Sequence, residues 1–101
     1  MKEIALCPRL SKAMELVGKR WTALIIYQLL EGPQRFNAIE SALPISGRLL
    51  SERLKELEKE GIVVRTVYSE VPIRVEYNLT DKGRSLEQAV REIEIWAKNW
   101  L

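Results

Sequence analysis

The chain has no histidine and only one cysteine, Cys7, among its 101 residues. A zinc site built from the usual Cys and His ligands cannot be assembled within one chain, and neither can an intrachain disulfide. Nucleophile–base arrangements that depend on imidazole are excluded with the histidine. None of the five glycines belongs to a phosphate-cradling loop, and the acidic residues are dispersed along helical faces opposite apolar ones. A carboxylate-only or lysine-based enzyme is the one catalytic route left open, so no enzyme, metal or cofactor is expected. Long apolar runs are missing too. Ala23-Leu24-Ile25-Ile26-Tyr27 stops at Gln28, against the roughly 20 residues that a membrane span needs. Lys2 and Glu3 stand before a very short apolar piece, unlike the long apolar region of a secretory signal. A cytoplasmic protein is expected. Charge of one sign is also scarce: sixteen Lys and Arg face fourteen Asp and Glu, a net +2. Any affinity for nucleic acid must therefore come from the placement of charges, not their sum.

What is present fits one domain over residues 1–101, with 47% hydrophobic and 30% charged residues, an ordinary globular balance. Residues 1–6 read as an arm. Cys7-Pro8 opens a first helix, because proline fits the first turn and leaves Cys7 at or beside the N-cap. This helix carries Leu10, Ala13, Met14 and Val17 on one side and ends near Gly18, followed by the basic turn Lys19-Arg20. A second helix, from Trp21-Thr22 to Leu30, is apolar around much of its circumference and belongs at the centre. Gly32-Pro33 ends it. A third helix spans about Arg35 to Ala42 and buries Phe36 and Ile39.

Pro44 closes that helix, and Ile45 to Gly61 then carries a start, a stop and a face. Ser46 is a good N-cap and Gly61 supplies the left-handed turn that commonly ends a helix. Leu50, Leu54 and Leu57 form one apolar stripe, while Arg48, Glu52, Lys55 and Lys59 fall roughly opposite it, with Ser51 on the flank. Two helices joined this tightly match a helix-turn-helix. Between Ser46 and Arg65 there are five cations and four anions, so the face is mixed. Past Gly61 the pattern changes. Ile62 to Tyr68 is rich in β-branched residues and reads as a strand. Ile73 to Leu79 alternates at period two and reads as its antiparallel partner. A hairpin directly after a helix-turn-helix is a wing. Its tip carries Ser69 and Glu70, with Arg65 and Arg74 nearby to meet phosphates.

Thr80 is a fair N-cap for a last helix reaching Leu101, although Gly83 stands where a capping box has Glu. Its stripe of Leu86, Ala89, Val90, Ile93, Trp96, Ala97 and Trp100 either packs back on its own domain or meets a second copy. Large exposed apolar surface is costly in a monomer, which favours a homodimer. The fold class expected is mainly α with a small β-hairpin, a winged helix-turn-helix.

These residues resemble a family. Cys7-Pro8, Gly18-Lys19-Arg20-Trp21-Thr22, Gly32-Pro33-Gln34-Arg35-Phe36-Asn37, Leu49 to Leu57, and Pro72 followed by Glu76 to Gly83 are similar to the winged-helix regulators of the HxlR type, relatives of MarR. The match covers Cys7 to about Trp100. The resemblance implies a bacterial transcriptional repressor, dimeric through its first and last helices, on a pseudo-palindromic double-stranded operator. The dimer contacts are then expected at Leu10, Met14, Ile93, Trp96 and Trp100. The family's base-reading helix falls on Ser46 to Glu60. Ser46, Arg48, Ser51 and Lys55 are the expected DNA contacts, Arg53 a lateral one, and Arg74 a phosphate contact from the wing. Arg48 near the helix start suits a guanine edge, and Lys55 suits the backbone. Glu52 either accepts from cytosine or pairs with a neighbouring cation. Gly47 departs from the bulkier polar residue expected there.

In many members the cysteine before the proline senses oxidants or electrophiles. The positive end of a helix favours thiolate at Cys7, with Lys19, Arg20 or another cation near in space as further help. The products open to it are a bridge to the partner's Cys7, a mixed disulfide, or alkylation. The bland alternative is a small packed residue. Two rivals remain: a regulator switched by a small ligand among Trp21, Tyr27 and Trp96, and a winged helix that binds protein.

Overall fold

The computed structural model of the protein describes residues 6–101. The expected arm lies outside the described residues except for Leu6, which is exposed. Helix α1 runs Pro8–Val17, with Pro8 in its first turn and Cys7 as N-cap, whose Sγ accepts the Leu10 N–H at 3.5 Å. Helix α2, Thr22–Leu29, buries Thr22, Ile25, Ile26 and Leu29. It is entered through Trp21 at φ 81°, a left-handed backbone that bulky side chains rarely adopt. Helix α3 spans Phe36–Ala42 and buries Ile39. Leu43 takes the extended backbone that a following proline demands. Helix α4 follows at Gly47–Lys59, as the sequence signals require. Ser46 Oγ accepts the Leu49 N–H at 3.2 Å, and Gly61 at φ 72° lets the Ile62 N–H reach back to the Leu57 carbonyl.

Strands β1 (Val63–Tyr68) and β2 (Arg74–Leu79) pair antiparallel, with Val63 opposite Leu79 and Tyr68 opposite Arg74. A third extended segment has no signal in the sequence. Gln34 exchanges both backbone hydrogen bonds with Tyr77, at 2.9 and 2.7 Å, and so adds a bridge to the free edge of β2. Its side chain is held by Gln28, which ties this bridge to the end of α2.

The long last helix expected from Thr80 onward is in fact two. Helix α5 is the single turn Asp81–Arg84 and α6 runs Glu87–Trp100. Ser85 Oγ donates to the Lys82 carbonyl at 2.5 Å, and the Leu86 N–H tightens onto the Gly83 carbonyl at 3.1 Å. These short-range bonds interrupt the helical ladder. Gly83 is needed for packing: a Cβ there would lie 2.2 Å from the Ile62 carbonyl oxygen. Glycine thus replaces the capping-box glutamate because α5 rests directly on the backbone entering β1.

The core joins Ile25, Ile26 and Leu29 to Ile39, to Leu50, Leu54 and Leu57 of α4, and to Ile62, Val63 and Leu79. Burying each α4 leucine stabilises the fold by about 1.5–3 kcal/mol. Neither α1 nor α6 contributes a fully buried residue. The radius of gyration, 15.6 Å, exceeds the roughly 13 Å usual for this length. The excess fits terminal helices that touch the core through Leu16 and Val90 but leave Leu10, Met14, Ile93, Trp96 and Trp100 exposed.

Candidate nucleic-acid interface

The leucine side of α4 is fixed in the core, so its opposite side must face away. Counting about 100° per residue, Arg48, Ser51, Glu52, Lys55 and Lys59 share one narrow arc. Arg48 has a side chain 92% exposed. Among the described residues its ionic neighbour is Glu52, with Nε and Oε1 at 3.6 Å. Such a solvent-exposed i,i+4 pair is weak and opens readily. Glu52 is thus placed beside a cation, as one of its two expected roles required. Lys55 is exposed and Ser51 half-buried. The Ser46 oxygen is engaged as helix cap, which leaves its O–H free to donate. A Cβ on Gly47 would meet the Glu40 carboxylate of α3 at 2.6 Å. The missing side chain is therefore explained by how closely α3 crosses the start of α4.

Arg53 is different. It lies on the shoulder of the leucine stripe with a side chain only 17% exposed. Its Nε donates to the Arg20 carbonyl at 3.2 Å and its Nη1 to Glu56 at 3.2 Å. Glu56 also takes Lys19 at 3.1 Å. Arg53 and Glu56 therefore bolt α4 to the turn between α1 and α2, a contact between segments 33 residues apart that local pattern does not reveal.

On the wing, Arg65 is exposed, whereas Arg74 is half-buried. Arg74 binds Glu70 through Nη2 at 3.0 Å and Nε at 3.3 Å, and Glu76 through Nη1 at 2.9 Å. Its guanidinium carbon sits 3.9 Å from the centre of the Tyr68 ring. The hydrogen bonds to Glu70 raise its already high pKa further. Beyond Ser69 and Glu70 the tip carries Val71, Pro72 and Ile73, all exposed, so it is more apolar than expected.

Cys7 is exposed. Lys19 and Arg20 lie past the far end of α1, about 15 Å of helix away. The expected cationic help from these two residues of the same chain is therefore corrected: the length of α1 keeps them from Cys7. The five expected dimer residues are all exposed: Leu10 53%, Met14 52%, Ile93 63%, Trp96 55% and Trp100 75%. Between α2 and α6 an apolar groove of about 360 Å³ is lined by Ala23, Leu24, Tyr27, Val90 and Ile93, with Glu94 at its edge. It uses Tyr27 but neither Trp21 nor Trp96, the other aromatics considered for a ligand pocket. The Tyr27 hydroxyl donates to the Glu94 carboxylate, and that bond pushes the phenol pKa up. Among the described residues no cluster of His, Cys, Asp and Glu is placed to hold a metal ion, and no helix is long and apolar enough to cross a membrane.

The chain matches the HxlR-like helix-turn-helix family over residues 16–101. It is 56% identical over 102 residues to the HTH-type transcriptional regulator YvaP of Bacillus subtilis (strain 168), covering 100% of this chain and 94% of YvaP. Its backbone is similar to the reduced form of the transcriptional regulator YodB from B. subtilis, with TM-score 0.84, 45% identity and 95% of each chain covered. YodB has also been solved treated with diamide and bound to a quinone. The redox regulator HypR in its oxidised form gives TM-score 0.86 at 38% identity, covering 92% of this chain and 96% of HypR. An outward-facing α4, a hairpin wing and matches that extend over nearly the whole chain lead to one conclusion: the protein belongs to the HxlR-like helix-turn-helix family of transcriptional regulators.

Proposed function

We propose that the protein is a cytoplasmic homodimeric repressor that lays one α4 in the major groove at each half of a pseudo-palindromic operator. The observation that carries this reading is Arg48, almost fully exposed at the start of a helix whose other side is locked by three buried leucines. Arginine in that position can donate two bonds to the O6 and N7 of guanine. Ser46 and Ser51 reach phosphate or base, Lys55 reaches the backbone, and Arg53 sets the angle of α4 from within. The wing lies over the flanking phosphates or minor groove.

Dimerisation is supported by the exposed apolar residues of α1 and α6, including two tryptophans, and by the elongated protomer. A second copy on Leu10, Met14, Ile93, Trp96 and Trp100 removes apolar surface that a monomer leaves in water. The groove between α2 and α6 adjoins this surface through Ile93, so the same copy covers its mouth.

Cys7 is the proposed sensor. It is exposed at the start of a helix assigned to the dimer, and two relatives, YodB and HypR, have been solved in diamide-treated, quinone-bound or oxidised forms. Modification of Cys7 shifts α1 against its partner and re-spaces the two α4 helices. The test is a binding selection on random duplexes, then gel shifts of the winner with and without diamide. A palindromic winner is expected, bound by the dimer and released by diamide, while Cys7→Ser stays bound. Release of Cys7→Ser by diamide would sink the sensor role. Failure to enrich any duplex, or binding indifferent to salt, would favour a protein-binding module instead.

A further inference from the structure

The wing brings only two cations to DNA, Arg65 and Arg74, and the structure shows Arg74 already occupied. Glu70 takes one edge of its guanidinium with two parallel bonds, at 3.0 and 3.3 Å. Glu76 takes Nη1 at 2.9 Å, and Tyr68 covers one face. Two carboxylates around one guanidinium leave the cluster with a charge of −1. In the strand register Arg65 stands opposite Tyr77 and Tyr68 opposite Arg74, so the two arginines project from opposite faces of the hairpin. On its own face Arg74 is therefore the only cation that the two strands supply.

We propose that Glu70 acts as a built-in phosphate substitute: it occupies the forked edge of Arg74 that a DNA phosphate would otherwise take, and so limits what the wing adds to binding. A carboxylate and a phosphate present the same pair of acceptor oxygens to that edge. Exchanging one for the other therefore returns little free energy, and it leaves the displaced carboxylate beside the phosphates. Arg74 thus adds little while Glu70 is present. Neutralising Glu70 frees the Nε and Nη2 donors, while Glu76 keeps the arginine positioned over Tyr68.

The inference rests on the DNA-binding reading above, and the experiment separates the two. Glu70→Gln, Arg74→Ala, the double variant and Arg48→Ala are titrated against a labelled duplex of random sequence, from about 50 to about 200 mM salt. Glu70→Gln is expected to tighten binding roughly three- to tenfold and to steepen the plot of log K against log salt by about 0.9, one added phosphate contact. In the Arg74→Ala background the same change is expected to give less than about a twofold gain, a non-additivity that locates the effect in the pair. An equal gain in both backgrounds means that Glu70 acts only through its charge at a distance, and overturns the inference. No gain at all also overturns it, provided the parent binds and Arg48→Ala weakens that binding. If no protein in the set binds any duplex, the DNA reading itself falls and the inference with it.

Discussion

Replacing Arg53 with alanine separates a residue that touches DNA from one that aims the helix which does. In the free protein Arg53 makes one bond to the Arg20 carbonyl and one to Glu56, both at 3.2 Å, with its side chain 17% exposed. A hydrogen bond to a charged group contributes about 1.5–3 kcal/mol when well shielded, and an exposed ion pair about 0.2–1 kcal/mol. Water can reach both partners at this site once the guanidinium is gone, since Glu56 is itself 34% exposed. The combined loss is therefore expected near 1.5 kcal/mol, or a fall in Tm of about 6–12 °C for a domain of this size. Arg53→Lys keeps one charge for Glu56 but lacks the second arm that reaches Arg20, and should retain about half. Urea unfolding of the three proteins at one fixed dimer concentration gives the stabilities. A salt series on duplex DNA gives the number of phosphate contacts, which should not change. An unaltered Tm for Arg53→Ala together with a salt slope lower by about one, the behaviour of a residue that reaches a phosphate, would overturn this role for Arg53.

Two further outcomes follow from the packing and the titration behaviour. Gly83→Ala should destabilise the protein by about 1–3 kcal/mol in urea, because the new Cβ meets the Ile62 carbonyl oxygen at 2.2 Å. Helix propensity alone predicts the opposite sign by roughly 1 kcal/mol, so the direction of the change decides. Tyrosinate absorbance should show Tyr27 titrating later than an ordinary phenol, and Tyr27→Phe should remove that late step, because the Glu94 hydrogen bond raises its pKa. A group whose folded value is raised contributes stability that is complete below its unfolded value near 10. That contribution is lost as pH climbs through the higher folded one. Tyr27→Phe should therefore flatten the loss of stability above about pH 10.

The parts of this fold that the sequence announces are those set by neighbours within a turn or two. Ser46 ahead of Leu50, Leu54 and Leu57, closed by Gly61, defines α4 to the residue, since cap, stripe and left-handed stop all act over short range. The alternation from Arg74 to Leu79 is equally local. What escapes the sequence reading depends on partners far along the chain. The Gln34–Tyr77 bridge joins segments with no shared pattern. The close approach of Gly83 to the Ile62 carbonyl likewise joins segments far apart in the chain, a contact that the run of apolar residues does not encode. For the candidate site, periodicity alone puts Arg48 and Lys55 outward, and both are exposed. It says less about Arg53 and Arg74, whose surroundings are built by Arg20, Glu56, Glu70 and Glu76. The position of Arg53 at the edge of the leucine stripe was the available hint that it turns inward.

In the proposed complex the exposed side of α4 lies in a major groove with Arg48 against a guanine. Methylation of guanine N7 places its mark in that groove, so interference mapping on the selected duplex reads the contact directly. One guanine in each half-site is expected whose methylation blocks the parent, with that block absent for Arg48→Ala and the remaining marks in place. An interference pattern identical for the two proteins would contradict it.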